Sequence, residues 1–172
     1  MKATELLDLL RQFHKHKLTM VRRHEAAARH VSDYEFNNTY QYVIAREDVH
    51  VRWLVDAITD IASGIGKTDL TGLIEEVAEP TLSVSGKAAA AQAGVIGQDR
   101  DAAQAFVDHW RPLVDGMNHA RHRTMLNVIL GETLEHKRFF EQAIAGRTDL
   151  LGRRADGAGT GGGVLPIRWI EQ

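Results

Sequence analysis

The feature that most limits what this chain can become is a helical phrase written twice. The first copy runs from Ala45 to Ile58 and the second from Gly131 to Ile144. With His50 set against His136, Arg52 meets Arg138, Trp53 meets Phe139 and Leu54 meets Phe140. Ala57 then meets Ala143 and Ile58 meets Ile144. The offset of 86 residues is half of the 172-residue chain, which points to a duplicated helical hairpin and not to a solenoid of short repeats.

The first copy carries chemistry. Glu47 and His50 are three apart and share a helix face. The stripe Tyr40, Ile44, Glu47, Val51, Leu54, Ile58, Ile61 has helical spacing, with Glu47 where a hydrophobe is expected. A carboxylate at such a position is costly unless it is paired or binds a metal. In the second copy the stripe is His122, Leu126, Ile129, Thr133, His136, Phe140, Ala143, so His136 now sits mid-stripe. Two inward-pointing sets on two related helices can meet in a bundle core.

The Glu-x-x-His of Glu47 and His50, its echo at His136 and the duplicated hairpin resemble the ferritin-like superfamily, in particular rubrerythrin-type four-helix bundles. The resemblance covers about residues 3–146. It implies an all-α fold with a long crossover between helices two and three. It also implies two iron or manganese ions, held by a Glu from each of two helices and Glu-x-x-His from each of the other two. Thr133 departs from that pattern, standing where the second Glu-x-x-His has its Glu, and Glu132 is the nearby substitute. Helix one offers no Glu at the expected level.

Composition fits a soluble globule: 44% hydrophobic and 26% charged residues, in a chain long enough for one real core. A formal net charge of -2 argues against nucleic acid held through phosphates. Absence of cysteine excludes disulfides and thiolate metal sites. No apolar run approaches a membrane span and the start lacks a signal-peptide core, so a cytoplasmic setting is the expectation.

Taken in order, helix one is expected from Ala3 to His30. Ser32 and Glu35 form a capping box that starts helix two, which ends at Gly64. A hairpin turning near residue 32 pairs positions whose numbers sum to about 64. Glu47 therefore faces residue 17 and His50 faces residue 14, which makes His14, with His16 beside it, a candidate ligand. The alternative is a solvated basic face shared with Lys15 and Lys17. Residues 64–97 read as crossover, with a short helix over 68–79, an extended stretch over 81–86 and a further short helix over 87–93. Helix three is expected over 98–115 with Pro112 as a kink, and helix four over 118–145, closed by Gly146. Asp101 and Asp99 are candidates for the helix-three carboxylate, or else favour a helix N-terminus for its dipole. His119 and His122 form an i,i+3 pair that reads either as a metal site or as a polar helix end.

Residues 147–172 form a tail. A Gly-rich leash over 157–163 carries the apolar peptide Val164 to Ile170, suited to docking on its own bundle, a twin subunit or another protein. Trp53 and Phe139, one residue off the core stripe, suggest a homodimer contact or the edge of the core. The functional expectation is a di-iron or di-manganese protein acting as oxidase, peroxidase or iron handler. Its ligands are Glu47, His50, Glu132 and His136, joined by His14 and Asp101, with Glu135 as a further candidate. The alternative is a metal-free structural or interaction module in which Glu47 with His136, or Glu132 with Arg46, form buried polar pairs.

Overall fold

A computed structural model describes residues 1–152 except 68, 70, 83, 85 and 87, and except the side chain of residue 88. It contains α1 (Ala3–Ala28), α2 (Tyr34–Gly64), α3 (Ala88–Asp115) and α4 (Ala120–Ile144), with no strand among the described residues. The docking peptide of the tail lies outside the described residues.

Several expected boundaries shift, each for a local reason. Helix one stops at Ala28, and helix two is capped by Asp33, not Ser32. The Asp33 carboxylate accepts from Glu35 N and Phe36 N, while the Ser32 and Asp33 amides donate to Gln92 Oε1. Helix three begins ten residues before the expected Gln98, at Ala88. Gly94 and Gly97 cost about 1 kcal/mol each inside a helix. Burial of Val95 and Ile96 between them, at about 1.5–3 kcal/mol each, outweighs that cost. Asp99 is therefore three turns inside α3, too far in to serve a helix-end dipole. The described residues of 68–79 and 81–86 form turns and irregular chain, without helix or strand.

The packing order follows from which side chains meet. α1 packs on α2 and α3 on α4, and the two hairpins join through α1–α3 and α2–α4. Along α1, Phe13 meets Trp110 and Arg23 meets Asp99, so α1 and α3 run in opposite directions. Likewise Tyr40 meets Phe140 and Arg46 meets Glu132, so α2 and α4 also run in opposite directions. The connection between α2 and α3 lies along α1. Gly72 and Leu73 accept hydrogen bonds from Arg11, Glu75 pairs with Lys15, and Glu79 pairs with Arg29 near the far end of α1. Leu73 reaches the core.

Two apolar clusters fill the interior. One is built around Phe13, Leu54, Phe106, Trp110 and Leu126, the other around Tyr40, Val43, Ile96 and Phe140. Between them lies a band of buried polar side chains. No helix among the described residues is long and apolar enough to cross a membrane.

Candidate functional site

The polar band centres on Glu47, which is 0% exposed. Helical spacing carries its carboxylate inward between Val43 and Leu54. One oxygen, Oε1, accepts from Lys17 Nζ at 2.6 Å, and Oε2 lies 2.7 Å from His24 Nδ1. Both partners project from α1 and are themselves fully buried. Lys17 Nζ also donates to Thr133 Oγ1 at 3.1 Å, and Thr133 passes its own hydroxyl hydrogen to Ile129 O at 2.8 Å. The Lys17 ammonium further lies 5.3 Å from the centre of the Phe106 ring.

Electrostatics follows from this arrangement. Burial by itself would raise the Glu47 pKa. The charges of His24 and Lys17 outweigh burial and hold the carboxyl well below its usual range. Burial would lower the His24 pKa, but the facing Glu47 carboxylate overcomes it and raises it above 6.5. His136 goes the other way. Burial dominates, its pKa is lowered, and the ring stays neutral near pH 7. His136 Nδ1 stands 3.7 Å from Glu47 Oε1, too far for a hydrogen bond.

A second pair borders the first. His50 Nε2 lies 3.0 Å from Glu132 Oε2, and Arg46 grips both oxygens of Glu132 at 3.0 and 2.6 Å. Burial pushes the His50 pKa down to about 4, with the Lys17 charge acting in the same direction. The rings of His50 and His136 stack with centroids 6.5 Å apart. Asp99 anchors a third group, accepting from Arg23 and from the Tyr40 hydroxyl. Each of these inward carboxylates thus has a fixed cationic partner.

Of the residues expected at the site, the structure brings Glu47, His50, Glu132 and His136 into one neighbourhood. His14 is buried, 2% exposed, with Nε2 unpartnered and no hydrogen bond to Glu47 or His50. Asp101 lies on the outer surface beside Arg100, and His16 accepts from Trp110 Nε1. His119 and His122 approach with ring centroids 6.3 Å apart at the exposed start of α4. Sequence reasoning missed Lys17 and His24 as partners of Glu47, and Thr133 as an acceptor of Lys17. The signal for Lys17 was present, because the hairpin sum of 64 places residue 17 opposite residue 47.

Imidazole nitrogens supply the remaining chemistry. His24 Nε2, His50 Nδ1 and both ring nitrogens of His136 are buried without hydrogen-bond partners. Among the described residues no three His, Asp or Glu side chains are arranged to hold a metal ion. Comparison of the chain with family models, with curated proteins and with solved structures gives no match.

Proposed function

We propose that the chain is a ferritin-like bundle that works without a metal, as a structural or protein-interaction module. One observation carries this reading: the Lys17 ammonium occupies the bundle centre, 2.6 Å from Glu47 Oε1. A two-metal site in this architecture draws a Glu from each of two helices and Glu-x-x-His from each of the other two. Here Glu47, His50 and His136 have the right types, but Thr133 replaces a carboxylate and Lys17 brings positive charge where anionic donors are needed. Glu132 is held in a two-pronged grip by Arg46. The donor set does not fit two dications. The connection between α2 and α3 that runs along α1 supports the ferritin-like part of the proposal. A cytoplasmic homodimer, touching through the half-exposed Trp53, belongs to the same proposal.

The buried, unpartnered nitrogens of His50 and His136 favour a second reading, in which the bundle binds iron or manganese. Elemental analysis separates the two. Protein purified without chelator, and again after anaerobic incubation with ferrous or manganous salt and desalting, is expected to carry far less than one ion per chain. Retention of about two ions per chain would establish the metal reading instead.

A further inference from the structure

An aromatic side chain and a cavity share the outer groove between α2 and α4. Trp53 is 36% exposed, with its ring beside that of His50, the centroids 5.6 Å apart. Together with Ala57 and Met125 it lines a cavity of about 280 Å³. At roughly 30 Å³ for each water-sized group, that holds about nine, the size of an indole ring. Charges of both signs border it: Asp56 and Asp60 on α2, and Arg121 on α4. Arg121 stands 3.9 Å from Asp60, and both side chains are well exposed. An apolar recess with a charged rim is the anatomy of a protein interface, and an aromatic anchor is what fills such a recess.

The same chain carries a segment of matching chemistry. Beyond Gly152 the sequence runs from Val164 to Glu171, apolar except for Arg168 and Glu171, which stand on either side of Trp169 with opposite charges. Leu150 packs with Tyr40, Phe140 and Ala143, so the chain leaves the bundle at the seam of α2 and α4. From Tyr40 to Trp53 along α2 is about 20 Å at 1.5 Å per residue. A Gly-rich chain of the length of residues 153–163 has an end-to-end distance of roughly 17–20 Å r.m.s.. Span and reach therefore match. A peptide tethered in this way meets its own groove at an effective concentration on the order of mM, which a second copy reaches only in mM solution. We propose that the tail folds back on its own bundle and covers this groove, with Trp169 in the cavity beside Trp53, Arg168 at Asp56 and Asp60, and Glu171 at Arg121. The inference rests on the interaction-module reading and supplies its regulation: the tail and a second copy compete for one face.

Cysteine is absent from the chain, so introduced pairs report proximity without interference. In the full chain, Arg121→Cys/Glu171→Cys is expected to close a disulfide within one molecule about tenfold faster than Gln41→Cys/Glu171→Cys, whose first position borders the groove between α1 and α2. Adding Trp169→Ala should slow the first pair to the rate of the second. A synthetic peptide of residues 163–172 gives an independent reading. It should bind the Trp169→Ala chain about tenfold more tightly than the unaltered chain, whose own tail holds the groove. Gln41 and Arg121 are exposed and the other substitutions lie in the tail, so helical circular dichroism should not change. The proposal is overturned if both cysteine pairs close at one rate, or if Trp169→Ala leaves the rate unchanged. It is equally overturned if the two single-cysteine chains, mixed, cross-link as fast as the double variant, or if the peptide binds both chains alike or neither. Light scattering tests the dimer contact separately, since Trp169→Ala should raise the dimer fraction by freeing the groove. A chain that stays monomeric while the disulfide closes removes the Trp53 dimer contact and leaves the docked tail standing. A dimer whose cysteine pair does not close does the reverse.

Discussion

The two hairpins share a burial pattern but not a chemistry. At the offset of 86, Leu10 matches Ile96, Met20 matches Phe106, Val21 matches Val107, Val43 matches Ile129 and Leu54 matches Phe140, every one of them buried. The polar positions diverge. Lys17 has Ala103 as its counterpart, Glu47 has Thr133, His24 has Trp110, and Tyr40 has Leu126. In the reverse sense Asp99 replaces Phe13. Only the His50 and His136 pair survives in both halves. A repeated apolar pattern therefore builds the scaffold twice, while the charges around Glu47 come from the first hairpin and the carboxylates of Asp99 and Glu132 from the second. Even the mirror pair Arg46 and Glu132 is complementary and not alike, and the two bond to each other across α2 and α4.

The sharpest way to break this comparison is to truncate the mirror residues in turn. Glu47→Ala leaves the Lys17 ammonium and the His24 ring buried without their anion, and should cost about 3–5 kcal/mol. Thr133→Ala removes one acceptor of Lys17 and should cost about 1 kcal/mol. Urea unfolding followed by circular dichroism measures both. Equal losses would mean that the centre is not polarised toward the first hairpin. Replacing the whole pair, Lys17→Met/Glu47→Met, should recover much of the Glu47→Ala loss, because an apolar pair of similar volume often matches a buried ion pair.

Acid tests the buried centre by proton uptake. His50 has its folded pKa at about 4 against 6.5 unfolded, so the unfolded chain binds a proton that the folded one refuses. Stability is thus lost as pH falls from about 6.5 toward 4. His136, His14 and His16 are lowered as well and act in the same direction. His24, whose pKa is raised, opposes them: it adds stability below pH 6.5 that is lost as pH rises through its folded value. Glu47 is lowered, so its contribution persists through this window and disappears only as pH falls through its depressed value. With several groups against one, the melting temperature is expected to drop by roughly 5–10 °C between pH 7 and pH 4.5. His50→Gln should flatten part of that slope, and an unchanged slope would mean that His50 is already charged in the folded chain.

Tyr40 and Leu126 extend the comparison to a smaller effect. Tyr40→Phe keeps the ring against His24 and Phe140 but leaves Asp99 with Arg23 alone. A loss of about 1–2 kcal/mol in urea unfolding is expected, since Asp99 remains paired. A neutral result would show that the Tyr40 hydroxyl donates no useful bond.

How much of this was legible in the sequence depends on which residues are asked. Duplication and helical stripes sufficed for four helices and for the inward placement of Glu47 and His136, because period and burial are properties of single helices. The start of α3 was hidden because Gly94 and Gly97 read as breaks, and only the packing of Val95 and Ile96 overrides that local preference. Partner choice was hidden for a different reason. Lys17 and His24 share the stripe of α1 with its hydrophobes but lie in a basic stretch, and nothing within α1 states that their side chains turn toward a carboxylate 23 to 30 residues away. The Asp99, Tyr40 and Arg23 group spans three helices and needed the register between hairpins, which no local pattern fixes.

The smallest expected effect lies on the surface and concerns the segment that joins the halves. Arg29 pairs with Glu79 through two hydrogen bonds where the connection passes the end of α1. Both side chains are well exposed, at 64% and 42%, so water and salt screen the attraction. Glu79→Ala should therefore cost under about 1 kcal/mol in global unfolding. Its local effect should be larger than its global one. Residues 72–82 are held to α1 mainly by Leu73, the Arg11 hydrogen bonds and the pairs at Glu75 and Glu79, and amide hydrogen exchange reads such local opening. Faster exchange over 74–82 at low salt, with no change in α2 or α4, is the expected result. The difference between variant and parent should shrink at high salt, as the parent's own pair weakens. A global loss above roughly 2 kcal/mol would exceed what an exposed pair supplies. It would make this clasp part of the core linkage between hairpins, and the comparison drawn from the buried centre alone would be incomplete.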